Sequence, residues 1–177
     1  MPFSTSMPKS ILCVCLGNIC RSPTAEAVFR QKLAIADLPI TVDSAGTSNA
    51  HLEALPDSRS QKYAKERGYN LAKHRARQVV PQDFMKFDLI LAMDNDNLKN
   101  LSVMKTQLEQ QFIAETSDLG QPHSPKLATL ALLSQEDPYY CQQPVPDPYY
   151  GESENFEVVL DQIESSVDAW LSSWRIG

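Results

Sequence analysis

Residues 11–23 read Ile11-Leu12-Cys13-Val14-Cys15-Leu16-Gly17-Asn18-Ile19-Cys20-Arg21-Ser22-Pro23. The first four are apolar and partly β-branched, the signature of a short buried strand. The continuation Ser22-Pro23-Thr24-Ala25-Glu26 reads as a helix start, with a hydroxyl at the cap, proline at the first helical position and an acid in the first turn. A chain that turns from strand to helix this quickly aims successive backbone N–H groups at one point. The helix N-terminus adds partial positive charge there. That point suits an anion.

Two residues bracket the turn. Arg21 offers a planar fork that binds two oxygens at once. Cys15 stands at the mouth of the loop, where the amides of Leu16, Gly17, Asn18, Ile19 and Cys20 and the charge of Arg21 favour thiolate over thiol. A thiolate beneath a bound phosphate is placed for in-line attack on phosphorus. Ser22 is positioned to donate a hydrogen bond to the sulfur and improve it as a leaving group. Gly17 gives the backbone room, and Asn18 tolerates a left-handed conformation. The bare Cys-to-Arg spacing fits equally well a buried structural cysteine and a surface arginine. The strand before it and the helix start after it give the motif its meaning.

The run Val14-Cys15-Leu16-Gly17-Asn18-Ile19-Cys20-Arg21-Ser22-Pro23-Thr24-Ala25-Glu26-Ala27 resembles the phosphate-binding loop of the low-molecular-weight protein tyrosine phosphatases. The resemblance extends from about Ser10 to the C-terminus. It implies hydrolysis of phosphotyrosine in proteins through a phosphocysteine on Cys15, with no metal and no cofactor.

Composition sets the bounds. The 177 residues, 42% hydrophobic and 21% charged, suit one globular domain with a core. A net charge of −6 supplies no basic stripe for nucleic acid. No apolar run approaches the ~18–20 residues of a membrane span, so no membrane partner is expected. Residues 1–9 read as a flexible tail, and 10–177 as the domain. Residues 1–10 carry one lysine and no apolar stretch, unlike a secretory signal. Of the four cysteines, Cys13, Cys15 and Cys20 crowd one strand and its loop and Cys141 stands apart. That is no disulfide framework, and it points to a reducing cytoplasm. His51, His74 and His123 are scattered, without metal-ligand spacing.

Strand and helix signals alternate along the chain. A helix is expected from Pro23 to about Ala36, a strand over 40–42 and a polar turn over 43–47. Asp57 caps a helix to Arg67, closed by Gly68. Residues 81–87 form a short helix or turn, 88–93 a third strand, and Asp94 to about Lys105 a helix. Residues 107–114 extend a helix or belong to an insertion reaching 125, with loop over 120–125. A last strand spans 127–133, and an amphipathic helix follows residue 151. This is an α/β domain with a parallel sheet and helices on both faces, whose ligands sit beyond the strand C-termini. The family resemblance implies strand order 2-1-3-4.

Cleaving a phosphate–tyrosine bond needs a proton donor for the leaving oxygen, and the same group then acts as base on water. The chain repeats one run, Asp137-Pro138-Tyr139-Tyr140 and Asp147-Pro148-Tyr149-Tyr150, and either aspartate also reads as a simple turn starter. In the family the acid lies in Asp-Pro-Tyr-Tyr-Gly just before the last helix, which selects Asp147. Tyr149 and Tyr150 then wall the cleft and stack on the substrate ring. By the same resemblance Asn18, Ser44 and His74 hold the loop, and Asp94 orients Arg21. Each also has a plainer reading, as turn residue, half-buried histidine or helix cap. Where some family members place a bulky aromatic at the rim, this chain has Asn49-Ala50-His51-Leu52. Cys20 is either a small apolar filler or a partner for a reversible, protective disulfide with Cys15, which would make the enzyme redox-sensitive.

The expected partners are a tyrosine-phosphorylated protein and, as inhibitors, phosphate or other oxyanions. A monomer with weak self-association through the tyrosine-rich rim is expected. Two other readings compete. An arsenate reductase on this scaffold needs relay cysteines downstream, and none lies between Cys20 and Cys141. A non-catalytic phosphotyrosine-binding module needs neither a nucleophile nor an acid.

Overall fold

In the computed structural model, which describes residues 6–117 and 125–175, the opening apolar run forms β1 (Ser10–Cys15). It is followed by α1 (Arg21–Ile35), β2 (Thr41–Gly46), α2 (Ser58–Glu66), α3 (Asp83–Lys86) and β3 (Leu89–Ala92). Then come α4 (Asn95–Ser117), β4 (Thr129–Leu132), a 3-10 turn (Leu133–Glu136) and α5 (Ser153–Arg175). The sheet is four-stranded, in order 2-1-3-4, and every pairing is parallel.

β1 sits inside the sheet, so both of its faces are covered. Ile11, Cys13 and Cys15 pack with residues of α1 and α5, whereas Leu12 and Val14 pack with Phe84, Ile90, Leu101 and their neighbours. Two buried faces explain why β1 and β3 read as continuous apolar runs and not as alternating ones. The strand order reverses between β1 and β3, which opens a crevice beyond their C-termini. Cys15 ends one of these strands and Asp94 follows the other. Among the described residues, no helix is long and apolar enough to cross a membrane.

Several boundaries differ from the expectations. α1 begins at Arg21, and Ser22 is not its cap: the capping position is Cys20, with no side-chain cap hydrogen bond. Ser22 instead turns its hydroxyl to Cys15. β2 spans 41–46, so the segment read as a polar turn is mostly strand. Its polar side chains are tolerated because they have partners: Ser44 bonds Asn18 and Glu26, and Asp43 pairs with Arg77. α4 is one continuous helix to Ser117, since nothing between 95 and 117 breaks it and Leu98, Leu101, Met104 and Leu108 dock on the sheet. β4 ends at Leu132, where the chain tightens into the 3-10 turn. The loop expected over 120–125 lies outside the described residues except for Pro125. So do residues 1–5 of the expected tail, while Lys9 is tied to Asp88 through its N–H and to Thr41 through its carbonyl.

Asp57 caps α2 as expected, accepting from the N–H groups of Arg59 and Ser60, and Gly68 takes the positive φ that closes it. α5 buries its apolar stripe, from Val159 to Trp174, against α1 and the sheet, while Phe156 packs with Ile19, Cys20 and Tyr63. Trp170 Nε1 donates to the Leu133 carbonyl at 2.7 Å, which pins the 3-10 turn under α5.

Candidate active site

The turn from β1 into α1 is held by Asn18, which is fully buried with φ at 56°, in the left-handed region. Asparagine tolerates that conformation because its short side chain bonds locally, and here every polar group of the residue is used. Nδ2 donates to Ser22 Oγ at 2.8 Å and to Ser44 Oγ at 3.0 Å. Oδ1 accepts from the Arg77 N–H at 3.0 Å, and the carbonyl lies 3.1 Å from His74 Nε2. A carbonyl only accepts, so His74 Nε2 carries the hydrogen. The Asn18 N–H points at Cys15 Sγ, at 3.2 Å.

Ser22 Oγ lies 3.0 Å from Cys15 Sγ and 3.3 Å from the Ala45 carbonyl. Since it already accepts from Asn18, its single proton serves one of these two. The chain of contacts continues backwards: Ser44 Oγ donates to Glu26 Oε2 at 2.6 Å, and the Glu26 carboxylate also pairs with Arg30 and lies near His74 Nδ1. Glu26, read from the sequence only as a first-turn acid, is therefore the buried anchor of the whole network. Its spacing along α1 carried no sign of this, because Ser44 and His74 reach it from distant parts of the chain.

Arg21 is buried, and its fork is already aimed. Nη1 donates to Asp94 Oδ2 at 2.6 Å and to the Val145 carbonyl at 3.1 Å, and Nη2 lies 3.4 Å from Asp147 Oδ2. Burial works against its charge, but the Cys15 sulfur, Asp94 and Asp147 outweigh that and push its pKa up. Asp94 serves two ends, since its other oxygen accepts the Asn97 N–H at the start of α4. Asp94 thus caps α4 and pairs with the Arg21 guanidinium at once.

A cleft of about 210 Å³ opens over this loop. Cys15, Leu16, Gly17, Ile19, Cys20, Arg21, Asp147, Tyr149 and Tyr150 line it, so the structure brings nearly all of the expected residues together. Ser48, Ala50 and His51 complete the lining. His51, from the stretch expected at the rim, is one of its walls. Its ring lies 6.0 Å from that of Tyr149, and a side chain on Gly17 would meet it at 3.0 Å. Gly46 was missed: a Cβ there would fall 2.6 Å from the Leu16 carbonyl, so the end of β2 presses against the loop. The two Asp-Pro-Tyr-Tyr runs part company. Asp147 faces the cleft, whereas Asp137 is buried, accepts from the Tyr139 and Tyr140 N–H groups and receives Ser166 Oγ at 2.8 Å.

Burial sets the other thiols. Cys20 is pushed up to about 12, chiefly by burial and against a hydrogen bond from Ser60. Cys13 is raised as well, by burial and by the nearby Glu26 and Asp43. Among the described residues, no group of three or more His, Cys, Asp or Glu side chains is placed to hold a metal ion.

Comparison with known proteins agrees with this geometry. The model of the low molecular weight phosphotyrosine protein phosphatase family matches residues 10–175. The Rattus norvegicus low molecular weight phosphotyrosine protein phosphatase is 39% identical over 165 residues, covering 92% of this chain and 94% of its own. The Entamoeba histolytica protein tyrosine phosphatase, solved with Hepes in its active site, superposes with a TM-score of 0.79 at 35% identity, over 95% of this chain and 97% of that one. The Drosophila arginine phosphatase superposes with a TM-score of 0.80 at 30% identity, over 94% and 98% of the two chains.

Proposed function

The chain belongs to the low molecular weight phosphotyrosine protein phosphatases, enzymes that hydrolyse phosphotyrosine in proteins, and from that premise we propose how its own residues share the work. The observation that carries the reading is one cleft uniting a sulfur, a guanidinium and a carboxyl group beneath aromatic walls.

The phosphate of the substrate binds to the loop amides of residues 16–20 and to the Arg21 fork, whose direction Asp94 fixes. Because α1 has no side-chain cap, the Arg21 and Ser22 amides at its start keep their donors for this anion. The Cys15 thiolate attacks phosphorus in line, forming an S–P bond as the P–O bond to tyrosine breaks. Asp147 gives its proton to the departing tyrosine oxygen. Asp147, now a carboxylate, takes a proton from water as that water attacks the phosphocysteine. Inorganic phosphate leaves, and the Ser22 hydroxyl stabilises the returning thiolate. Asn18, Ser44, His74 and Glu26 keep the loop in shape through both steps.

Leu16, Ile19, His51, Tyr149 and Tyr150 give the cleft apolar and aromatic walls suited to a phenyl ring. One structural neighbour is named an arginine phosphatase. The lining here supplies a single carboxyl group, Asp147, to face a substrate guanidinium, which favours phosphotyrosine over phosphoarginine as substrate.

Three finer readings belong to the proposal. Peroxide oxidation of Cys15 to the sulfenic acid, followed by condensation with the Cys20 thiol and loss of water, would close a reversible disulfide. With Cys20 pushed up to about 12, that closure is slow at neutral pH and quickens as pH rises. A cytoplasmic setting suits four unbridged thiols, and the enzyme acts as a monomer whose exposed Tyr150 permits weak self-association.

The test is turnover of para-nitrophenyl phosphate and of a phosphotyrosine peptide by the wild-type protein and by Cys15→Ser. Turnover is expected to vanish in the variant while vanadate binding persists. Wild-type protein quenched in acid should carry phosphate on Cys15 by mass spectrometry. Residual turnover in Cys15→Ser, or phosphate found on another residue, would overturn the assignment.

A further inference from the structure

Asp147 lies on an irregular segment between the 3-10 turn and α5, and its reach into the cleft depends on what holds that segment. Upstream, the Val145 N–H donates to the Met93 carbonyl and the Val145 carbonyl accepts from Arg21. Downstream, the side chain bonding the segment comes from another element, the first turn of α2. Arg59 Nη2 donates to the Tyr149 carbonyl at 2.7 Å, and Arg59 Nη1 approaches the Gly151 carbonyl at 3.4 Å. The guanidinium also lies over the Phe156 ring, 4.8 Å from its centroid, and 5.9 Å from that of Tyr149.

The far edge of the same fork is locked. Arg59 Nε donates to Asp57 Oδ1 at 3.1 Å, and Nη2 to Asp57 Oδ2 at 3.0 Å. Asp57 is itself fixed from two sides. Its Oδ1 accepts the Arg59 N–H as the cap of α2, and its own N–H donates to the Ile19 carbonyl of the phosphate loop at 2.8 Å. Residues 57–59 thus run from a phosphate-loop carbonyl at one end to two carbonyls of the Asp147 segment at the other. A guanidinium is planar and its donors are fixed relative to one another. Holding one edge on Asp57 therefore sets where the other edge holds Tyr149 and Gly151.

We propose that Arg59 is a positioning residue for the phosphatase reaction: braced by Asp57, it fixes the Asp147 segment relative to the phosphate loop, so that the Asp147 carboxyl meets the leaving oxygen. The proposal rests on the reading of Asp147 as the general acid. Arg59 does not line the cleft, so it acts through Asp147 and leaves phosphate binding alone. Lysine has no fork with which to hold Asp57 and two carbonyls together, so Arg59→Lys should behave like Arg59→Ala.

The experiment compares kcat/KM for phenyl phosphate, whose leaving group needs protonation, with that for para-nitrophenyl phosphate, whose leaving group needs little. A misplaced catalytic group costs on the order of 100-fold. Arg59→Ala and Arg59→Lys should therefore lose about 10- to 100-fold on phenyl phosphate and less than about 3-fold on the activated ester, with the inhibition constant for inorganic phosphate unchanged. In an Asp147→Ala background, Arg59→Ala should cost nothing further on either ester, since the group it positions is gone. Arg59→Gln, which keeps stem packing and one donor pair, replaces the alanine variant if that protein fails to fold. Equal losses on both esters, or an undiminished loss in the Asp147→Ala background, would overturn the proposal. An Asp147→Ala protein with no leaving-group dependence would instead overturn the acid assignment, and the role of Arg59 with it.

Discussion

Replacing Asn18 by alanine removes the residue on which the phosphate loop turns. The loss can be worked from its contacts. The φ of 56° suits asparagine, but in alanine a left-handed backbone costs roughly 1–2 kcal/mol. The Arg77 N–H loses Asn18 Oδ1, and a donor left unpaired in a part-buried site costs roughly 1–3 kcal/mol. Ser22 and Ser44 lose a donor but keep other partners, so their share is small. The total is about 2–5 kcal/mol. For a chain of this length that is a fall in Tm of about 10 °C, to be measured by calorimetry. Asn18→Gly forfeits the same hydrogen bonds but not the backbone conformation, so it should recover about 1 kcal/mol relative to alanine. Both variants should lose about 10- to 100-fold in kcat/KM, because Ser22 and the Cys15 sulfur are no longer held in register. An alanine variant that melts within about 2 °C of wild type, a gap that corresponds to less than 1 kcal/mol, would refute this reasoning. So would a glycine variant no more stable than alanine.

The two aspartates of the repeated run should fail in opposite ways. Asp137→Ala, which strips three hydrogen bonds from a buried site, should destabilise by about 2–4 kcal/mol in urea titrations yet keep the leaving-group dependence of the reaction. Asp147→Ala should melt near wild type but lose about 10²- to 10⁴-fold on phenyl phosphate. Gly46→Ala drives a methyl group onto the Leu16 carbonyl, a backbone atom that cannot swing away. It should cost about 1–3 kcal/mol and raise KM, read by steady-state kinetics. Asp57 is desolvated, yet its bonds from Arg59 hold its pKa below the usual carboxylate value. Its contribution is thus present above the unfolded value near 4 and is lost as pH falls through the lower folded value. Asp57→Ala should cost about 1 kcal/mol at pH 7, and denaturant titrations should show that difference narrowing steadily below pH 4.

Residues 11–27 contain a strand, a loop and a helix start whose chemistry is local, so they declared the turn that joins Cys15 to Arg21, while the α/β class came from strands and helices alternating along the chain. The asparagine that takes the left-handed turn was legible for the same reason: φ > 0 beside Gly17 is a property of the chain itself. Asp147 could be preferred over Asp137 only by resemblance, because the two runs are identical over four residues. What separates them is tertiary: one run is pinned under α5 by Ser166 and the other is drawn over the cleft. The true length of β2 was hidden because strand pairing with β1, and not the propensity of Asp43 or Ser44, decides it. Glu26 read only as a first-turn acid, because Ser44 and His74, which reach it, lie 18 and 48 residues away. Gly46 and Arg59 carry no local pattern at all, since they meet the loop or the segment of Asp147 only through tertiary contacts. The sequence by itself determined the turn that gathers Cys15, the loop amides and Arg21, because that depends on backbone geometry within a few residues. Only the tertiary structure decided which carboxyl group, which rings and which arginine stand beside that turn, because those depend on distances between elements far apart in the chain.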